Sequence, residues 1–254
     1  MPTKTTTLRA TDRRFGIRLL AAAGVAAAAA VPFALLLVLV EGQWRPLRDL
    51  DRDAANGLHE VAVGHPAWTS TLRVLSNYVW DPLTLRVGVA LLTGWLLWRG
   101  ARRLAAWAAV TAVVGGLLGL GVKTVVERAR PVLVDPVAHA PGYSFPSGHA
   151  MTATTSFAVF LLVLLPMVPR RARIACWVVA VVSVVGVGFT RVALGVHWFS
   201  DVLGGWLLGL AVVVLTSRAF EAWRSDTGQR PAQVTEGLEP ELSGPAPEPD
   251  STPR

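Results

Sequence analysis

Apolar runs separated by short basic clusters recur along nearly the whole chain, and their lengths set the first expectation. Leu19–Val40 is apolar throughout and long enough to cross a bilayer, so it reads as an uncleaved first span rather than a signal-peptide core. Further runs from about Pro82 to Trp98, Leu104 to Val122, Ala150 to Leu165, Ile174 to Phe189 and His197 to Thr216 predict five more. The expected fold class is therefore all-α: a polytopic membrane protein with six transmembrane helices in a bundle.

Residues 41–82 follow a different rhythm. Leu47, Leu50, Ala54, Leu58 and Val61 keep a three-and-four spacing, and Trp68, Leu72, Leu75 and Val79 repeat it, which predicts two short amphipathic helices along the outer surface. His59 and His65 fall here without partners at a convincing spacing and read as surface or packing residues. The expected organisation is a basic N-terminal segment (1–18), a six-span domain (19–217, with the external segment 41–82), and a tail (218–254). Residues 225–254 hold six prolines and six acidic residues, so the tail is expected to be disordered.

Composition agrees with the pattern: of 254 residues, 52% are hydrophobic and only 16% charged, which argues against a soluble domain. The net charge of +7 does not point to nucleic acid, because most arginines sit between apolar runs, where they set topology. The clusters within 9–18, 99–103, 170–173 and 218–224 belong on the cytoplasmic side, with both termini. That leaves Lys123–His149 and Thr190–His197 on the external side of a plasma membrane. Cys176 is the single cysteine and cannot form an intrachain disulfide. The glycines Gly115, Gly116, Gly119 and Gly121 permit close helix packing. Nothing in the pattern indicates an oligomeric state.

The candidate chemistry lies at the external boundaries. In Thr190-Arg191-Val192-Ala193-Leu194-Gly195-Val196-His197-Trp198-Phe199-Ser200-Asp201, a helix from His197 onward would place His197 and Asp201 on one face, i to i+4. The carboxylate could then hold one imidazole nitrogen and leave the other free. Lys123 and Arg130 lie seven residues apart, two helical turns, and would face one side before Pro131 stops the helix. Ser147 is placed as an N-cap, so the amides of Gly148 and His149 would form a helix N-terminal anion site. Three cations, a helix N-terminus and two histidines suit phosphoryl transfer. No cluster in the external segments has metal-ligand spacing, and no cofactor is implied.

The pieces Lys123-x6-Arg130-Pro131, Pro146-Ser147-Gly148-His149 and Thr190-Arg191-x5-His197-x3-Asp201 resemble the three signature motifs of the type 2 phosphatidic acid phosphatases (PAP2), membrane lipid phosphatases related to vanadium haloperoxidases. The likeness covers about residues 82–217. Thr190 departs from it, the family more often having serine, but keeps the hydroxyl. The resemblance implies a PAP2-like helical core and His197 as the nucleophile, forming a phosphohistidine, with Asp201 orienting it. It also implies His149 as the acid that protonates the leaving group and then activates water. Lys123, Arg130, Ser147, Gly148 and Arg191 would hold the phosphate. The implied partners are the lipid bilayer and a phosphorylated lipid such as phosphatidate, phosphatidylglycerol phosphate or undecaprenyl pyrophosphate, hydrolysed without metal. Two alternatives stay open: a phosphotransferase using an acceptor other than water, and an inactive scaffold or transporter that binds phosphorylated lipid.

Overall fold

The computed structural model describes residue 24, residues 27–28 and residues 30–226. The expected cytoplasmic segment 1–18, the start of the first apolar run and most of the expected tail lie outside these residues. Within them the chain is all helical: α1 (Ala30–Glu41), α2 (Arg45–Gly64), α3 (Pro66–Val74), α4 (Pro82–Trp98), α5 (Arg102–Val126), α6 (Gly148–Leu164), α7 (Arg170–Ala193) and α8 (Phe199–Asp226). Among the described residues, α5 to α8 are four helices long and apolar enough to cross a membrane. There are five if α1 and α2, bent by 87°, make one broken span.

Local chemistry sets the boundaries. Asp81 caps α4 by accepting from the amides of Leu83 (2.7 Å) and Thr84 (3.3 Å), with Pro82 in the first turn. Ser147 caps α6, as its position in the sequence predicts, through the amide of Ala150. Helix α5 ends earlier than Pro131: Glu127 adopts the left-handed conformation (φ 49°), and its amide closes onto the Lys123 carbonyl. Lys123 and Arg130 therefore do not share a helix. Helix α8 begins at Phe199, so His197 sits in the preceding turn, and it runs on to Asp226, past the expected end at Thr216.

The bundle is organised around α6, which packs against α4, α5, α7 and α8. Within its most apolar stretch 61% is buried, against 22% for α7 and 28% for α5. The outward valines of α7, among them Val178, Val181 and Val182, are more than half exposed, as expected of a face turned to lipid. Helices α6 and α8 approach closely because Gly205 lies over the start of α6: a Cβ there would stand 2.6 Å from the Ser147 carbonyl oxygen.

The two amphipathic helices exist, but the buried stripe of α2 differs from the one its leucines suggest. Leu47, Asp51, Ala55, His59 and Ala62 face inward, whereas Leu50 and Val61 are about half exposed. Helix α2 lies across the end of α7 and the start of α8, where Asp51 meets Arg128 and Ser200 while Ala54 and Leu58 pack beside apolar side chains. His59 is accordingly a packing residue, its Nε2 2.6 Å from the Val134 carbonyl, while His65 is exposed.

Candidate active site

Five helix ends meet at one end of the bundle: the starts of α4, α6 and α8 and the ends of α5 and α7. They bring all the sequence-predicted residues together.

His197 is buried, with Nδ1 3.3 Å from Asp201 Oδ2 and Nε2 3.1 Å from Arg130 Nη1. Because the guanidinium can only donate, the assignment that satisfies both contacts puts the proton on Nδ1, donating to Asp201, and leaves the Nε2 lone pair outward. Burial pushes the imidazole down to about 4, outweighing the upward pull of Asp201. The ring is neutral at ordinary pH.

Asp201 is fixed from three sides. Its Oδ2 also accepts from the Trp198 amide (2.9 Å), and its Oδ1 takes a 2.6 Å bond from Arg128. Its carbonyl receives the Ser147 amide at 2.9 Å, which ties the turn carrying His197 to the cap of α6. Arg128 spans a second carboxylate, Asp51 of α2, at 2.7 Å. Asp51 in turn accepts from both the amide (2.8 Å) and the hydroxyl (2.6 Å) of Ser200. The sequence motifs do not include Asp51, Arg128 or Ser200. Arg128 was in plain view between Lys123 and Pro131; Asp51 could have been found only by noticing the inward stripe it shares with Ala55 and His59.

The cations differ in how free they are. Arg130 donates to the carbonyls of Pro141, Gly142, Tyr143 and Val196 as well as facing His197, so its fork latches the 131–146 loop onto the turn carrying His197. Burial lowers its pKa, with Asp201 acting in the opposite sense. Arg191, 5% exposed, gives Nη1 to Ser76 at 2.8 Å, and its Nε is a buried donor with no partner among the described residues. Among the described residues Lys123 makes no hydrogen bond or close ion pair. His149, in the first turn of α6, lies within electrostatic reach of Arg191, His197, Lys123 and Arg130. The amides of Gly148 and His149 are among the N-terminal donors that have no acceptor within the helix. Among the described residues no three His, Cys, Asp or Glu side chains converge as metal ligands.

The helices and this cluster define an all-helical membrane protein whose bundle end gathers cations and orphan amides around an oriented histidine. Residues 104–225 match the PAP2 superfamily. The chain is 40% identical over 102 residues to a phosphatidylglycerophosphatase B of Bacillus subtilis, covering 39% of this chain and 49% of that protein. It is 35% identical over 138 residues to an undecaprenyl-diphosphatase of Sulfolobus acidocaldarius, covering 52% and 59%. Against a lipid A 1-phosphatase of Rhizobium etli the figures are 38% over 118 residues, covering 41% and 47%. The chain thus spans about half the length of these curated relatives. A transmembrane PAP2-type phosphatidylglycerolphosphate phosphatase from Bacillus subtilis shares the fold, with a TM-score of 0.69 at 23% identity over 78% of this chain and 96% of that one. Over residues 104–225, just under half of its length, the chain is thus similar to the PAP2 superfamily.

Proposed function

We propose that the protein is a phosphatase that removes a terminal phosphate from a lipid phosphomonoester or pyrophosphate through a phosphohistidine. The observation that carries this reading is His197, with Nδ1 held on Asp201 and Nε2 facing the cation cluster.

Nε2 attacks phosphorus, and the bond to the leaving oxygen breaks as His149 gives that oxygen a proton. Arg191, Lys123 and the amides at the start of α6 hold the phosphoryl oxygens while charge builds on them. His149, now neutral, takes a proton from water; the hydroxide attacks phosphorus, and the bond to His197 breaks. Asp201 stabilises the positive ring in the intermediate. The cations supply charge neutralisation that a divalent ion gives in other phosphoryl transfers.

The phosphatase names of the relatives support the substrate class: a phosphatidylglycerophosphatase, an undecaprenyl-diphosphatase and a lipid A 1-phosphatase. The same reading holds six spans, counting α4 and the α1 region with the four long helices. The site then faces outward, opposite the turns that carry Arg99, Arg102, Arg103 and Arg170, Arg171, Arg173. The test is phosphate release by purified protein in detergent from phosphatidate, phosphatidylglycerol phosphate and undecaprenyl pyrophosphate, with excess EDTA and with vanadate. Turnover that survives EDTA, is blocked by vanadate and vanishes in His197→Ala is expected. Turnover retained in His197→Ala would overturn the mechanism.

A further inference from the structure

A groove of about 190 Å³ opens beside the cluster, between α4, α5 and α6. Lys123 and Gly148, both in the phosphate motifs, form one end of it, and Arg86 of α4 and Thr152 of α6 form its wall. Leu120 also lines it and is 60% exposed on the face of α5, so the groove opens toward lipid.

Arg86 is the only charged residue of α4. It lies four residues into α4, Thr152 four residues past the start of α6 and Lys123 three before the end of α5. All three stand about one turn, roughly 5 Å, inside the bundle end. The contact Arg86 makes there is long, 3.5 Å from Nη2 to Thr152 Oγ1, and among the described residues no carboxylate pairs with it. Among the described residues the groove therefore holds two cations, Arg86 and Lys123, neither in an ion pair, and no acidic side chain lines it. Charges at the edge of a hydrocarbon layer are costly without a counter-charge, and a planar guanidinium suits phosphate.

We infer that Arg86 binds a second phosphate of the substrate, the one that stays on the lipid, so that the site favours lipids with a further anionic phosphorus beside the scissile bond. This rests on the phosphatase reading above. In-line attack by His197 places the leaving oxygen away from Nε2. In a lipid diphosphate that oxygen bridges to the retained phosphate, which then lies between the cluster and the hydrocarbon, where Arg86 stands. A lipid monophosphate puts an uncharged carbon there.

The experiment compares kcat/KM for farnesyl diphosphate and farnesyl monophosphate, one lipid with and without the second phosphate, in wild type, Arg86→Ala and Arg86→Lys. Wild type is expected to prefer the diphosphate. Arg86→Ala should lose that preference by on the order of ten- to a hundredfold through the diphosphate alone, and Arg86→Lys should restore part of it. An arginine that merely snorkels would leave the ratio unchanged, and that result overturns the proposal, as does an equal loss on both substrates in protein that still elutes as the wild type does. Failure of wild type to hydrolyse either lipid would instead remove the phosphatase reading, and this proposal with it.

Discussion

At the scale of single residues, His197 depends on a balance between burial and its carboxylate. Unfolded, the imidazole takes up a proton near 6.5; folded, only near 4. Between these values the unfolded chain binds the extra proton, so the contribution to stability is complete above about 6.5 and is lost as pH falls toward 4. The melting temperature in detergent should therefore drop over that window, and His197→Asn should flatten the drop. Equal slopes in the two proteins would mean that other groups carry the acid sensitivity. Arg191, with a buried donor lacking a partner, should behave as a transition-state contact: Arg191→Ala is expected to cost about 10² in rate with the fold kept. Near-normal turnover would reduce it to an anchor for Ser76. Among the described residues His149 has no carboxylate partner, and it stands at the helix N-terminus. Its loss should hurt an alkoxide leaving group more than p-nitrophenolate, and the ratio of phosphatidate to p-nitrophenyl phosphate hydrolysis in His149→Ala measures this.

At the scale of elements, α2 does more than cover a surface. Through Asp51 it reaches Arg128 and Ser200, and through Arg128 it reaches the carboxylate that orients His197. Asp51→Asn is expected to lower kcat by roughly tenfold with KM little changed, because the aim of the nucleophile is affected and the phosphate contacts are not. A matching effect of Arg128→Lys, and less than additive loss in the double variant, would identify one network; additive losses would separate them. This network marks where the sequence stops being readable. Lys123, Ser147, His149, Arg191 and His197 announce themselves through spacing and through their place at the ends of apolar runs. Asp51 sits on a helix whose leucines advertise a different face, and its partner Ser200 is 149 residues away. Periodicity identifies an amphipathic helix but misplaces its face when buried polar residues such as Asp51 and His59 occupy the stripe. The long helices were legible because bilayer thickness dictates their length; their ends were not, since the left-handed Glu127 leaves no mark on composition.

At the scale of the whole molecule, every residue of the cluster is contributed by a helix end or an adjoining turn on one side, while Arg99, Arg102, Arg103, Arg170, Arg171 and Arg173 gather at the turns on the other. Reporter fusions after residues 103 and 173 should be cytoplasmic and one at Ala138 external; a cytoplasmic signal at Ala138 would place the chemistry on the wrong face. The crossing of α6 and α8 at Gly205 carries a cost for anyone seeking a sturdier protein. Replacing a mid-helix glycine with alanine ordinarily adds helix propensity of about 1 kcal/mol. Here the new methyl would meet the Ser147 carbonyl, an unyielding backbone atom at the start of α6. Gly205→Ala is therefore expected to lower the melting temperature instead of raising it, and a stabilisation scheme that replaced helical glycines wholesale would fail at this one position.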